Sequence, residues 1–438
     1  MDKMSTELIF KKIAIIGYGV EGRSTHDYLK LIGAENVVIY DEKLDTFPEI
    51  ISNKFEENDY TDIELVFRSP GVKYERIKKL IPHAEITSQT DYFFDNARGK
   101  KIIITGTKGK TTTATIIYEL YSQLNKKVFL GGNVGNPLLS FIDKTDENSI
   151  SVIELSSFQL QDFKGNADEV LILPIKIDHL DYHKSEKEYV ESKLNSLKNL
   201  SDDGVAIIPQ ALIGKVKTKA RVIGYSVGKQ LQNGCFIKDE KLICINKKNR
   251  FKLELKELSR KYKIPIVNLV VAGAYIFHHD LKIDLSLVLE RFSRPDFRIQ
   301  KIVDKNGLRF FNDSASTNPI STIEAVEMMD DKFCLILGGS SKSLDYSELA
   351  QKLSSNEMLE RIYIYGAVAD EVKTSLEQND FKKEILLKND LREVVEDIFF
   401  NDGNFRIVLF SPASASFDQY ESYKKRGEHF NRLVGLSK

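Results

Sequence analysis

Cysteine is scarce: three in 438 residues, at positions 235, 244 and 334. With no CxxC pair a zinc site is not expected. Cys235 and Cys244 flank a predicted hairpin turn at Lys238–Lys241, where they could face each other. A cytoplasmic protein would keep them as reduced thiols, and that is the expectation. Charge of one sign is also lacking. Lys and Arg number 63 against 64 Asp and Glu, for a net charge of -1. That balance argues against a nucleic-acid partner, which usually draws a basic excess. No apolar run approaches the ~20 residues of a membrane span. The opening "MDKMSTELIFKKIAIIG" lacks a signal peptide's cleavage region, and its apolar residues read as a first strand. Neither a fixed-period repeat nor a low-complexity tract occurs. What remains is 42% apolar and 29% charged, the composition of a globular protein. The length predicts two to four domains.

Short runs rich in Ile, Val, Leu and Phe alternate with helical patterns, among them "KIAIIG", "NVVIYD", "KIIITG", "SVIELS", "FCLILGG" and "FRIVLFSP". Apolar on both faces and separated by helices, they predict parallel sheets in α/β layers. Three blocks follow: 1–96, 97–295 and 296–438. Within the second, "GCFIKDEKLICI" and "NRFKLELKEL" predict a small antiparallel insert.

Two glycine-rich turns compete for attention. In "GTKGKTT", Gly106, Thr107, Lys108, Gly109, Lys110, Thr111 and Thr112 leave a strand and open a helix. Backbone N–H groups at such a turn converge on an anion, and the helix start adds partial positive charge. Lys110 can neutralise phosphate oxygens and the Thr111 hydroxyl can ligate Mg²⁺. The spacing is shorter than the standard phosphate loop, and a plain strand-to-helix turn is the competing account. The other turn, "GYGVEG", places Gly17, Gly19 and Gly22 after a strand, with Asp41 nineteen residues on. This matches a dinucleotide fingerprint with its ribose-binding acid. Spacing leaves three readings open: a dinucleotide, another nucleotide-like group, or tight helix–strand packing.

Other candidates lie at strand ends. Glu154 ends the apolar strand in "VIELSSFQL", where an acid beside a phosphate loop can hold magnesium; a helix-capping acid is the alternative. "LILPIKIDHLDYH" ends a strand with Asp178, His179, Asp181 and His183, at the edge where α/β sheets place ligands. A loop histidine is more often simply surface. Lys193 lies three or four residues from Tyr189, Val190 and Leu197, and so faces the apolar side of its helix. Either its stem runs along that surface with the ammonium in water, or burial lowers its pKa. A neutral amine reacts with CO₂ to give a carbamate, an acidic metal ligand.

With these residues in hand the chain resembles the Mur ligase family, and most closely its D-glutamate-adding branch. The matching stretches are "TGTKGKTTT", "GGNVGNP", "IELSSFQL", "DHLDYH", the "SKL" with Lys193, "FFNDSASTNP", "LILGGSSKSLDY" and "SPASASFDQYESYKKRGEHF". They span the second and third blocks in order; "GYGVEG", "IYDEK" and "RSPGV" match more loosely in the first. The phosphate loop is shared with the wider family, including folate-polyglutamylating ligases.

The resemblance implies an α/β protein of three domains. These are a Rossmann-like amino-terminal domain (1–96) for a UDP-linked substrate, a central P-loop ATPase-like domain (97–295) with a mostly parallel sheet plus the insert, and a Rossmann-like carboxy-terminal domain (296–438) for the amino acid. It implies ATP-dependent amide formation between UDP-N-acetylmuramoyl-L-alanine and D-glutamate through an acyl phosphate, in peptidoglycan synthesis. The implied cofactors are ATP, Mg²⁺ at two sites with Mn²⁺ as an alternative ion, and CO₂ as the lysine carbamate. Lys110 would neutralise the terminal phosphates. Thr111 and Glu154 would hold one metal ion; His179 and carbamylated Lys193 would place the second. Asn268, Arg298 and Asp313 match ATP-binding positions. Val20, Glu21, Asp41, Glu42, Ser69 and Gly71 match the UDP end of the substrate, with Asn133, Ser156 and His179 toward its reacting end. Thr317, Lys342, Ser416, Phe417 and Tyr423 match the amino-acid pocket. A cytoplasmic monomer is expected, with the third domain closing on ATP.

The chain departs from the family pattern in three places. Ala315 stands in "NDSASTN" where a lysine is usual, Lys108 where asparagine is common, and Phe297 precedes Arg298 in place of histidine. The first leaves open a different added amino acid, such as L-glutamate or lysine. Outside the family, an NAD-dependent oxidoreductase or a non-catalytic P-loop switch would account for single motifs only.

Overall fold

The structure is a computed structural model, and it describes residues 3–42, 50–52, 55, 59–179, 182–246, 250–292, 296–341, 344–401 and 403–436. The chain separates into two compact units. The first comprises Met1–Lys256 with Ile266–Phe292, and the second Glu257–Pro265 with Ser293–Lys438.

The first unit holds two sheets. The smaller is five-stranded and wholly parallel, in the order Ile50–Ser52, Val37–Tyr40, Ile13–Ile16, Leu65–Arg68, Glu85–Thr87. The larger has nine strands. Its parallel part runs Gly234–Lys238, Arg221–Ser226, Leu200–Pro209, Ala167–Ile172, Lys100–Thr105, Ile150–Glu154, Val128–Gly132. Strands such as Ile13–Ile16 and Ile150–Glu154 are buried along their whole length, as continuous apolar runs covered on both faces require.

The predicted antiparallel insert forms, but not as a separate piece. Strands Gly234–Lys238, Lys241–Ile245 and Arg250–Glu254 continue the large sheet at its edge. The hairpin register sets Cys235 directly opposite Cys244, and the two are joined in a disulfide. This corrects the expectation of reduced thiols: cross-strand pairing brings two buried sulfurs together whatever the composition suggests.

The two sheets of this unit share one apolar cluster. Phe93 and Phe94 of helix Gln89–Asn96 meet Phe141 and Phe163 edge-on, with ring centroids 5.2 and 4.9 Å apart. Such aromatic contacts contribute about 0.5–1.5 kcal/mol each beyond the area they bury.

The second unit has a six-stranded sheet in the order Gln300–Lys305, Leu308–Asn312, Ile407–Ala413, Phe333–Gly338, Leu359–Tyr365, Glu384–Lys388. Only the first pair is antiparallel. The last strand in sequence thus lies in the middle, and the strand order changes direction there. Ligands of open α/β sheets settle at the carboxyl ends beside such a point.

Candidate functional site

The phosphate-loop turn leaves strand Lys100–Thr105 and enters helix Lys110–Gln123, as the pattern predicts. Gly106 and Gly109 have φ of +143° and +79°, a region that only glycine enters without strain. Gly109 caps the helix without a side-chain cap hydrogen bond, which leaves first-turn N–H groups for an anion. Asn268, from helix Ile266–His278, braces the turn from behind. Its Nδ2 donates to the Gly109 carbonyl at 2.7 Å and to Thr113 Oγ1 at 2.8 Å. Thr107 Oγ1 accepts from the Lys176 N–H at 2.9 Å and meets the Tyr189 hydroxyl at 2.9 Å.

Glu154 ends the neighbouring strand, in register with Ile104. Its buried carboxylate accepts from Thr111 Oγ1 at 2.7 Å and from Asn133 Nδ2 at 3.2 Å. Lys110 Nζ donates to the Thr107 carbonyl at 2.9 Å, curling over the loop. Lys193 is 2% exposed and donates to the Gly106 carbonyl at 2.8 Å, with its ammonium 4.7 Å from the Tyr189 ring centroid. Burial, and then the charge of Lys110, push its pKa down to about 7. The inward lysine of the sequence pattern is therefore buried in the structure and lies against the loop. Lys110, Thr111, Glu154, Asn133 and Lys193 are all tied into this one carboxyl edge. Among the described residues no three His, Cys, Asp or Glu side chains gather into a metal cage. Mg²⁺ fits such a place, since it takes one or two carboxylates and completes its shell with phosphate oxygens and water.

The two histidines of "DHLDYH" separate. His179, at φ 54°, is half-exposed beside Phe158, whose ring centroid lies 4.9 Å away. His183 is buried and bonds Ser157 Oγ through Nε2 at 3.0 Å. Asp181 lies outside the described residues. Ser156 caps helix Ser157–Leu160 in a capping box with Gln159, a pattern readable in "SSFQ".

The first glycine turn opens on a cavity of about 580 Å³. All six residues matched to the UDP end, namely Val20, Glu21, Asp41, Glu42, Ser69 and Gly71, line it. Asp41 Oδ2 accepts from the Tyr18 N–H at 2.6 Å, and Ser69 Oγ donates to the Gly17 carbonyl at 2.6 Å. Three lining residues were not read from the sequence: Phe55, Lys73 and Arg76. Arg76 pairs with Glu42 through both guanidinium nitrogens, at 2.5 and 3.0 Å. No motif marks these residues: Lys73 caps helix Tyr74–Leu80, Arg76 lies within it, and Phe55 comes from beyond strand Ile50–Ser52.

In the second unit Asp313 follows strand Leu308–Asn312. It accepts from the Ile299 N–H at 3.1 Å and from Ser411 Oγ at 2.7 Å, and burial pushes it up to about 6. Arg298 is exposed, Thr317 half-buried, Ser416 buried and Phe417 67% exposed. Tyr423 begins helix Tyr423–Leu436, and Lys342 lies outside the described residues. Sequence reasoning missed Arg426. It is fully buried and donates to the carbonyls of Ser314, Ser414 and Ala415 at 2.9, 3.0 and 3.1 Å. It thereby pins the "NDSAS" and "SPASAS" segments together. The cue was its place in the last long amphipathic helix, where a buried cation needs several carbonyl partners.

A model of the Mur ligase middle domain matches residues 104–272. Over 97% of its length the chain is 29% identical to the UDP-N-acetylmuramoylalanine--D-glutamate ligase of Clostridium botulinum (strain Kyoto / Type A2), covering 96% of that protein. It is likewise 29% identical to the enzyme of that name from Caldanaerobacter subterraneus subsp. tengcongensis, with 98% and 99% covered. The fold is that of the UDP-N-acetylmuramate-alanine ligase from Thermotoga maritima, at a TM-score of 0.63 and 17% identity over 98% of this chain and 100% of that one. It is also that of the MurF ligase of Thermotoga maritima solved with ADP, at 0.58 and 17% over 99% and 96%. The domain model lies over the phosphate loop, Glu154 and Lys193, and on either side of it the chain is similar to Mur ligases almost end to end.

Proposed function

We propose that the protein joins the L-alanine carboxylate of UDP-N-acetylmuramoyl-L-alanine to D-glutamate, converting ATP to ADP and phosphate, in peptidoglycan precursor synthesis. The observation that carries this reading is the gathering of Lys110, Lys193, Thr111 and Glu154 around one uncapped helix start. The reaction must bring a carboxylate against a triphosphate, and like charges oppose that approach. Amide N–H groups and the Lys110 ammonium lower the barrier by favouring the charge that develops on the transferred phosphoryl group. The carboxylate oxygen attacks the terminal phosphorus and ADP leaves. The amine of glutamate then attacks the acyl carbon, and phosphate departs with the former carboxylate oxygen.

Magnesium, held by Thr111 and Glu154 and at a second place by His179 and a carbamylated Lys193, would supply charge neutralisation there. Lys193 suits carbamate formation because burial leaves much of its amine uncharged near neutral pH. Asn268, Arg298 and Asp313 are proposed for ATP; Val20, Glu21, Asp41, Glu42, Ser69 and Gly71 for the UDP end; Asn133 and Ser156 for the reacting end. Thr317, Lys342, Ser416, Phe417 and Tyr423 are proposed for the amino acid. The division at 96/97 and 295/296 into acceptor, nucleotide and amino-acid domains belongs to the same proposal.

Ala315, in the place of the family lysine, favours one second reading: a ligase of this type that adds L-glutamate or lysine. A panel of D- and L-amino acids with ATP, Mg²⁺ and UDP-N-acetylmuramoyl-L-alanine separates the two by phosphate release. Turnover with D-glutamate above all others is expected. Preference for another amino acid overturns the specificity, and no ADP with any of them overturns the ligase.

A further inference from the structure

We propose that binding of the sugar nucleotide at the first glycine turn takes up one proton on Glu21, which then meets the diphosphate as a neutral hydrogen-bond donor. This rests on the reading of that cavity as the UDP site.

Glu21 is the second residue of helix Val20–Leu31, whose cap residue, Gly19, offers no side chain to the first turn. A Cβ on Gly19 would meet nothing within 4 Å, so the backbone is open to a ligand. Glu21 is among the residues lining the cavity at that helix start. Its Oε1 accepts from Gln159 Nε2 at 2.6 Å, while Oε2 is buried with no hydrogen-bond partner. Of the cavity's other charges, Asp41 is bonded to the Tyr18 N–H and Glu42 is paired with Arg76. Lys73 is the remaining cation on the wall, and Arg68 behind it pairs with Asp162. The wall thus carries three carboxyls against two basic side chains.

A diphosphate drawn to the open amides would add negative charge beside an ionised Glu21, and like charges at one site drive one of them to take a proton. The diphosphate diester is much the stronger acid, so the proton goes to the carboxyl. Glu21 is already poised for this, since burial pushes it up to about 7 against the opposing effects of Gln159 and Arg68. Once protonated, the group can turn its O–H toward a phosphate oxygen, and the orphaned oxygen gains a partner.

The test is titration calorimetry of the full chain with UDP-N-acetylmuramoyl-L-alanine. UDP-N-acetylglucosamine serves as a second probe, because its diester phosphates do not titrate near neutrality. Measurements run from about pH 6 to about pH 8.5 in two buffers of different ionisation enthalpy. The expected result is uptake approaching one proton per site and affinity falling up to about tenfold per pH unit above about pH 7. Glu21→Gln, which presents an N–H where the neutral acid presents its O–H, should bind with little pH slope. Affinity independent of pH in the unaltered protein, or an unchanged slope in Glu21→Gln, overturns the proton-linked binding and leaves the UDP reading standing. Absence of binding by either probe at every pH overturns both.

Discussion

The two glycine turns of the first unit use the same backbone device for different ends. Each follows a buried parallel strand and enters a helix whose cap is a glycine without a capping side chain. Around Gly106–Lys110 the side chains are cationic or suited to magnesium: Lys110, Lys193, Thr111 and Glu154. Around Gly17–Gly22 they are mostly acidic: Glu21, Asp41 and Glu42, with Lys73 and Arg76. An uncapped helix start attracts an anion in both places. Whether that anion is activated or merely held is decided by the side chains behind the loop.

The sharpest break of this comparison is Lys110→Ala. Loss of turnover by about a thousandfold or more is expected, the scale of removing a charged group that steadies a transition state, with binding of the UDP sugar unchanged. ADP formation near the unaltered rate would show that the second turn does not hold the reacting phosphate. Next in size is Lys193→Ala, expected to lose most of its activity, with partial recovery on adding acetate. Mass spectrometry of the unaltered protein should find ~44 Da added at Lys193, the mass of covalent CO₂. Neither rescue nor added mass would count against the carbamate.

Smaller effects separate the glycines of the first turn. A Cβ on Gly22 would sit 2.1 Å from the Gly17 carbonyl oxygen. Gly22→Ala should therefore lower stability by about 1–3 kcal/mol in denaturant melts, the usual cost of overpacking. Gly19→Ala meets open space and should leave the melt unchanged while weakening UDP-sugar binding. Equal effects on both measurements would mean that the turn serves packing alone.

The smallest is a pH slope. In buffer freed of CO₂ and bicarbonate, where Lys193 is a free amine, it lies at about 7 in the folded protein against an ordinary 10.5, so between those values the unfolded chain holds a proton that the folded chain has released. Stability from this group should rise with pH from about 7 to about 10, because the unfolded state binds more protons there. Replacing the lysine by methionine should remove that slope; its persistence would assign it elsewhere.

Much of the site was legible before any coordinates. Strand, glycine turn and helix are contiguous in "KIIITGTKGKTTTATIIYEL", so local pattern suffices to place Lys110 and Thr111. The inward face of Lys193 followed from helical spacing to Tyr189 and Leu197; of the two readings that spacing left open, the structure has the buried one. Illegible were contacts between segments far apart in the chain: Asn268 on Gly109 across 159 positions, Gln159 on Glu21 across 138, and Arg426 on Ser314 across 112.

The sequence by itself determined the alternation of buried strands and helices, the two anion-ready turns and the residue types that front them. All of these depend on neighbours within a few positions. The tertiary structure alone decided that the first two sheets share one core, that the hairpin extends the large sheet and pairs its cysteines, and that Glu21 keeps one oxygen without a partner. Those outcomes depend on which distant surfaces exclude water from each other, and burial of that kind leaves no period or spacing along the chain.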